Sequence, residues 1–330
     1  MDKQIEVVEW LAEGRIQFGR ELDALHVAGM QARSGQWRHF IDQLLLWGAV
    51  ICSGASLIFF LAYNWESMGR FAKFALAEAA ILLSLIACWR VGISSLAGKA
   101  SLLLSSLFVG ALLALVGQTY QTGADTYELF GVWAIAILIW VILAQMGAMY
   151  LFCLALFNLS AVLYFQTFGG FFGILFSTID QIWTLLLLNL SILVAWEVLA
   201  LRGIAHLQVR WSVRIVATAV GVLMTILALQ TIFRENTNFQ TGDLIRILLA
   251  VFVYVAWCLL SIYCYRKTIK DLYVLAGVML SLIITVNAFL GRFVLHHAHA
   301  GSFLLLGMTI IASSAFCGVW LKKVAKEMQA

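Results

Sequence analysis

No proline occurs anywhere in the 330 residues. Membrane transporters commonly break their helices at proline or glycine, and the freed backbone groups bind ions or substrate. Here any such break rests on the 25 glycines alone. Charge is scarce as well: Asp, Glu, Lys and Arg make up 12% of the chain, about half the share of a soluble domain. That excludes a chain folding in water around a single core. The six cysteines (Cys52, Cys88, Cys153, Cys258, Cys264 and Cys317) all fall inside apolar runs, and no CxxC occurs. A disulfide framework and a zinc site are thereby disfavoured, and the cysteines read as small packing residues. Ser-His-Asp order, a Gly-rich phosphate loop and HExxH are all missing. An active site of the soluble type has nothing to rest on, and neither a cofactor nor a metal is indicated.

What the chain has in abundance is apolar sequence. A spanning helix needs roughly 20 apolar residues to cross about 30 Å of hydrocarbon. Ten runs meet that test: 44–64, 70–90, 99–118, 127–145, 147–166, 181–201, 211–233, 243–265, 271–290 and 301–321. Only Gln145, Met146 and Gly147 separate the fourth run from the fifth, so those two helices are expected side by side and antiparallel. Residues 168–180 are apolar but too short to cross and return. They lie in the interface or dip in as a re-entrant piece, which would require burial in protein or a water-lined cavity. Residues 1–40 are polar and precede a run long enough to span, which does not fit a cleavable signal peptide.

The basic residues give the orientation. With the N-terminus cytoplasmic, 16 of the 21 Lys and Arg residues fall on the inner side. Only Arg70, Lys73, Arg234, Arg246 and Arg292 fall outside. This is the positive-inside pattern, with both termini inside, and it leaves no polyanion site for nucleic acid. The expected fold class is all-α: a polytopic transmembrane helix bundle of about ten spans over residues 42–322. A short amphipathic N-terminal helical arm, 1–41, precedes it, and a cytoplasmic tail, 323–330, follows. In the arm, Ile5, Val8, Leu11 and Ala12, then Phe18, Leu22 and Leu25, recur at helical spacing with a break near Glu13-Gly14. Such an arm lies on the inner leaflet, or docks a cytoplasmic partner through Trp10 and its arginines.

One polar stretch, Gly117-Gln118-Thr119-Tyr120-Gln121-Thr122-Gly123-Ala124-Asp125-Thr126-Tyr127-Glu128, interrupts the apolar runs on the outer side. Asp125 three residues ahead of Glu128 has the spacing of a capping box. Both carboxylates also suit the positive end of a helix dipole. Gln118 and Tyr120 are not needed for capping and could line an outer mouth. A faint echo relates Leu113-Ala114-Leu115 and Gln121-Thr122-Gly123 to Leu227-Ala228-Leu229 and Gln240-Thr241-Gly242, as a duplication or chance would produce.

Residues Gly117-Gln118-Thr119-Tyr120, followed by Asp125 and Leu129-Phe130, resemble the signature of a bacterial predicted membrane-protein family, domain of unknown function family 2157. Phe60-Leu61-Ala62-Tyr63-Asn64-Trp65-Glu66 resembles that family's other motif, and Trp10-Leu11-Ala12-Glu13-Gly14 is a third match. The family often carries a proline after the Asn-Trp-Glu element, where this chain has Ser67-Met68-Gly69-Arg70. The resemblance implies a bacterial inner membrane and a companion membrane protein encoded nearby. Asn64, Trp65 and Glu66, at the outer end of the first span, join Gln118, Tyr120, Asp125 and Glu128 as candidates for an outer mouth.

Within the spans, Glu78 is the one carboxylate at depth, about 12 Å in from Arg70. Intramembrane carboxylates usually face the bundle interior and a polar partner. Counted from the same surface, Asn158, Asn189 and Thr225 reach a similar level. An intramembrane polar layer is therefore expected, with Glu78 bonded to Asn158 or Asn189. Glu197 sits near an inner helix end, within reach of Arg202 or water. His296, His297 and His299 mark a polar outer loop in which two imidazoles lack a third metal ligand. The leading expectation is a permease-like protein for a small solute or ion, its substrate unspecified, embedded in the lipid bilayer. The alternative is a non-enzymatic membrane scaffold or complex subunit. An intramembrane enzyme would have only Glu78 and the outer His and Asp residues for acid–base work.

Overall fold

The computed structural model describes residues 7, 9–17, 20–27, 29, 34–169, 179–234, 241–294 and 300–329. The middle of the 168–180 segment, the three loop histidines and part of the second copy of the echo lie outside the described residues. Nine helices among the described residues are long and apolar enough to cross a membrane, and a bent pair makes a tenth if counted as one span. Their surfaces carry many exposed Leu, Ile, Phe and Val side chains. Such exposure suits helices solvated by lipid, where apolar surface need not be hidden. The chain forms two compact units, Met1–Thr119 and Tyr120–Ala330.

In the first unit, residues 9–12 are helical and the chain turns at Gly14 with φ +66°. Helix α1 (Glu21–Val27) follows, then α2 (Ser34–Tyr63), α3 (Arg70–Val91) and α4 (Leu96–Tyr120). Helix α2 runs through residues 41 and 42 without interruption, so the first apolar run is the later part of a longer helix. Leu57, Leu61, Phe108 and Ala111 form a small core, with Leu76, Ala80 and Ile81 packed on it. A Cβ on Gly54 would lie 2.9 Å from a Leu107 methyl, so glycine lets α2 and α4 approach. The buried hydroxyls of Ser84 and Ser105 meet at 2.6 Å and tie α3 to α4. Between these helices Gly92 adopts φ +90°, and Ser95 Oγ accepts the Gly98 N–H at 2.9 Å to cap α4. That hydroxyl satisfies one of the orphan donors every helix start leaves.

The second unit begins with α5 (Thr126–Ala136) and α6 (Leu138–Ala144), which meet at a 43° bend. The run 127–145 was expected to form one span, and the pair is that span with a bend in it if counted as one. The break falls at Ile137, fully buried with φ −88° and ψ −5°. Neither proline nor glycine stands there. The β-branched Ile135, Ile137, Ile139 and Val141 lose side-chain freedom in a helix and weaken it locally. Meanwhile Ser160 donates to the Tyr127 carbonyl at 2.7 Å and anchors α5 to α7 (Gly147–Gly169).

Next come α8 (Ile179–Leu201), a 3-10 turn (Ala205–Leu207), α9 (Arg210–Phe233), α10 (Thr241–Tyr263), α11 (Leu272–Val294) and α12 (Ala300–Gln329). Helix α9 packs against α7, α8, α10 and α11 and is the hub of the unit. Its buried stripe of Val213, Val216, Val220, Met224 and Leu227 recurs at helical spacing. Ile182, Leu186, Leu275 and Val278 close over that stripe. At the far end of α9, the Arg292 guanidinium donates to the carbonyls of Ile232 and Arg234. A cation there answers the negative end of the helix dipole.

Candidate functional site

The 3-10 turn after α8 folds the chain back so that α9 starts beside the end of α8. The Trp196 indole N–H donates to the Leu207 carbonyl at 3.1 Å and fixes that reversal. Arg210, first residue of α9, thereby meets Glu197 with both carboxylate oxygens, at 3.1 and 2.9 Å. Arg202 or water was the expected partner of Glu197; the turn brings Arg210 instead. Tyr265 adds a hydroxyl donated to Glu197 Oε1 at 2.9 Å.

The same guanidinium serves a second carboxylate. Arg210 Nε lies 2.9 Å from Asp271 Oδ2, and Arg214 Nε, one helical turn on, lies 3.1 Å from the same oxygen. Asp271 Oδ1 accepts the Tyr273 N–H at 3.1 Å, capping α11. Glu197 and Asp271 are both buried. Burial pushes the Asp271 carboxyl up, but hydrogen bonds and charge from Arg214 and Arg210 outweigh it and hold it below the ordinary value. Two cations and two carboxylates thus close a neutral knot joining α8, α9, α10 and α11. Arg210 Nη2 makes no hydrogen bond of its own and adds only an ion pair, 2.8 Å from Asp271 Oδ2. The hydrogen bonds from Arg210 Nε and Nη1, Arg214 and Tyr265 make the buried carboxylates tolerable.

The sequence reading missed this knot. The signal was there in part: Asp271 is an isolated acid in the basic stretch Arg266-Lys267-Thr268-Ile269-Lys270, and Arg210 and Arg214 share one helix face.

Deeper in the unit, Asn158 of α7 and Asn189 of α8 form a reciprocal amide pair, with N···O separations of 3.3 and 2.5 Å. Each amide also donates to the carbonyl one turn earlier in its own helix. Thr225 lies elsewhere, 2.7 Å from Ser281, whose hydroxyl is 2.9 Å from Tyr254; Tyr254 in turn lies 3.0 Å from Thr285. This hydroxyl chain joins α9, α10 and α11. A third group links α11 to α12: Asn287 donates to Ser313 and accepts from Thr309, both at 3.0 Å. Glu78 belongs to the first unit, where it stands exposed on α3.

The outer-mouth residues divide between the units. Asn64 donates its amide to the Phe60 carbonyl at 3.0 Å, while its own carbonyl accepts from Ser67 and Met68. The Trp65 ring covers buried Lys73, whose Nζ stands 3.7 Å from the ring centroid. The Asn-Trp element thus builds the α2–α3 turn and shelters a cation that would otherwise meet apolar surroundings. Glu66 and Gln118 are exposed in the same unit, and Tyr120, Asp125 and Glu128 are exposed in the second.

The capping box is corrected by the geometry. Asp125 occupies the N-cap position of α5 with extended backbone, but its side chain makes no capping hydrogen bond. The contact to Glu128 N–H comes from the Asp125 backbone carbonyl, at 3.0 Å. The Glu128 carboxylate accepts from the Tyr127 hydroxyl at 3.4 Å. The aromatic neighbour takes the carboxylate that a capping box would have sent back to the cap.

Residues 8–150 match the family model described as predicted membrane protein (DUF2157). That span takes in the Asn-Trp turn, the polar stretch and the bent pair α5–α6. No curated protein and no solved structure matches the chain.

Proposed function

We propose that this membrane protein is a non-enzymatic scaffold, a subunit around which other membrane components assemble. One observation carries the reading. Several polar side chains inside the spans of the second unit bond helix to helix, as in Asn158–Asn189 and the Thr225–Ser281–Tyr254–Thr285 chain. Groups used in this way set helix packing, and intramembrane amides commonly do no more. A hollow beside α9 with mostly apolar walls supports the same reading. It holds about 480 Å³ and runs past Gly221, Val222, Ile226 and Trp257.

Glu78 favours a second reading, a pathway for protons or cations, since an exposed carboxylate within a span calls for a polar partner. In a scaffold that partner is supplied by the neighbouring subunit. We place both termini in the cytoplasm of a bacterial inner membrane, on the bias of 16 basic residues in 21. Cysteines introduced at Asp125 and at Gln329 in a cysteine-free background test this. An impermeant reagent on intact cells should label the first and spare the second.

Purification of the full chain in mild detergent tests the function. The scaffold reading expects a stoichiometric membrane partner that survives gel filtration and is weakened by Glu78→Gln. Proton or cation flux through liposomes holding this chain alone, abolished by Glu78→Gln, would establish the pathway instead.

A further inference from the structure

Where α10 ends, the backbone leaves the α-helix twice. Cys264–Thr268 form a π turn, with the Ile269 N–H bonded to the Cys264 carbonyl at 2.9 Å. Lys270 then adopts φ +52°, and the Asp271 N–H closes back on the Tyr265 carbonyl at 3.0 Å. This is a helix-ending motif whose left-handed position favours glycine. Here it holds a lysine.

The result is a basic hollow of about 670 Å³ lined by Arg266, Lys267, Lys270, Glu327 and Met328. Its one carboxylate is already matched, since Arg266 Nη2 lies 2.7 Å from Glu327 Oε2. Lys267, over the Tyr263 ring, and Lys270 remain exposed as surplus cations. Arg266 also lines a second hollow of about 510 Å³ between α10, α11 and α12, with apolar walls that include Met279, Ile283, Val286, Phe316 and Trp320. A basic recess thus adjoins an apolar groove through one shared side chain.

We propose that this end of α10, α11 and α12 binds one anionic phospholipid. Lys267 and Lys270 hold the headgroup phosphate, and an acyl chain lies in the groove that Arg266 borders. Basic recesses between spanning helices take anionic headgroups, and lysine suits phosphate as a compact charge. The two hollows together narrow the occupant. An apolar helix would fill the groove and leave the ammonium groups unmatched, whereas free phosphate would do the reverse. A lipid satisfies both. The site needs no protein partner, so its test stands apart from that of the scaffold.

The full chain, delipidated in detergent, is followed by thermal unfolding. Dioleoyl phosphatidylglycerol should raise the melting temperature by a few degrees. Phosphatidylcholine with the same chains, and inorganic phosphate alone, should each do much less. Lys267→Gln combined with Lys270→Gly should remove the preference for phosphatidylglycerol. The baseline should hold, because glycine suits the left-handed position. Ile283→Trp, which fills the groove, should weaken the response as well. An equal rise with phosphatidylcholine, a full rise with phosphate alone, or a full response in the double variant would each overturn the proposal. Should the variants not fold, native mass spectrometry of the wild-type chain in a mixture of the two lipids decides. Preferential retention of phosphatidylglycerol supports the site, and equal retention defeats it.

Discussion

Arg210 and Asp271 lie 61 positions apart in the chain and meet with Nη2 2.8 Å from Oδ2. Because Asp271 is buried and also holds Arg214, its removal takes a carboxylate from both guanidinium groups and leaves Arg210 with Glu197. Asp271→Ala should lower stability by about 3–5 kcal/mol, the usual cost of breaking a buried pair from one side. Unfolding in detergent measures it. A loss under about 1 kcal/mol would mean that water screens the knot as it does surface pairs.

The knot also fixes a pH response. The Asp271 carboxyl is held below its ordinary value of 3.8. A depressed carboxylate contributes stability above its unfolded value and loses it as pH falls through the folded one. The stability gap between wild type and Asp271→Asn should therefore stay constant from about pH 5 to 8 and close only below about pH 4. A gap that closes near neutrality would point to a different titrating group.

For the amide pair, Asn158→Leu strands Asn189, and the cost should be about 1–2 kcal/mol. Replacing both by leucine should recover most of that loss, since a pair removed together leaves no orphaned polar group. A double variant as damaged as the sum of the singles would argue against mutual pairing.

At the α2–α3 turn, Trp65→Ala uncovers Lys73 and should cost about 1–2 kcal/mol, with Trp65→Phe retaining part of the contact. Asp125→Ala should cost less than about 0.5 kcal/mol, because its side chain caps nothing. If Asp125→Ala proves the costlier of the two, the assignment of roles at these turns fails.

The spans were legible because a run of about 20 apolar residues has few other homes. Counting from helix ends also set Asn158 and Asn189 at one depth, since rise per residue is fixed. The bend at Ile137 was not legible, because neither proline nor glycine marks it. Nor was the Arg210 knot: Glu197 had a nearer cation in Arg202, and only the 3-10 turn between them decides which one arrives. At the polar stretch the one-letter pattern matched a capping box while Tyr127 competed for the same carboxylate. Local chemistry can be read from spacing, but the choice among equally close partners depends on the path of the backbone.

The knot has a consequence for biosynthesis. A ribosome that has released α8 and α9 into the membrane has delivered Arg210 and Arg214 against a single carboxylate. Neutrality is reached only when Asp271 emerges, with α11 still to be made. Until then the nascent chain carries an excess positive charge where α8 meets α9. Among chains halted just after α11, those carrying Asp271→Asn keep that excess and should be degraded faster than those carrying Asp271.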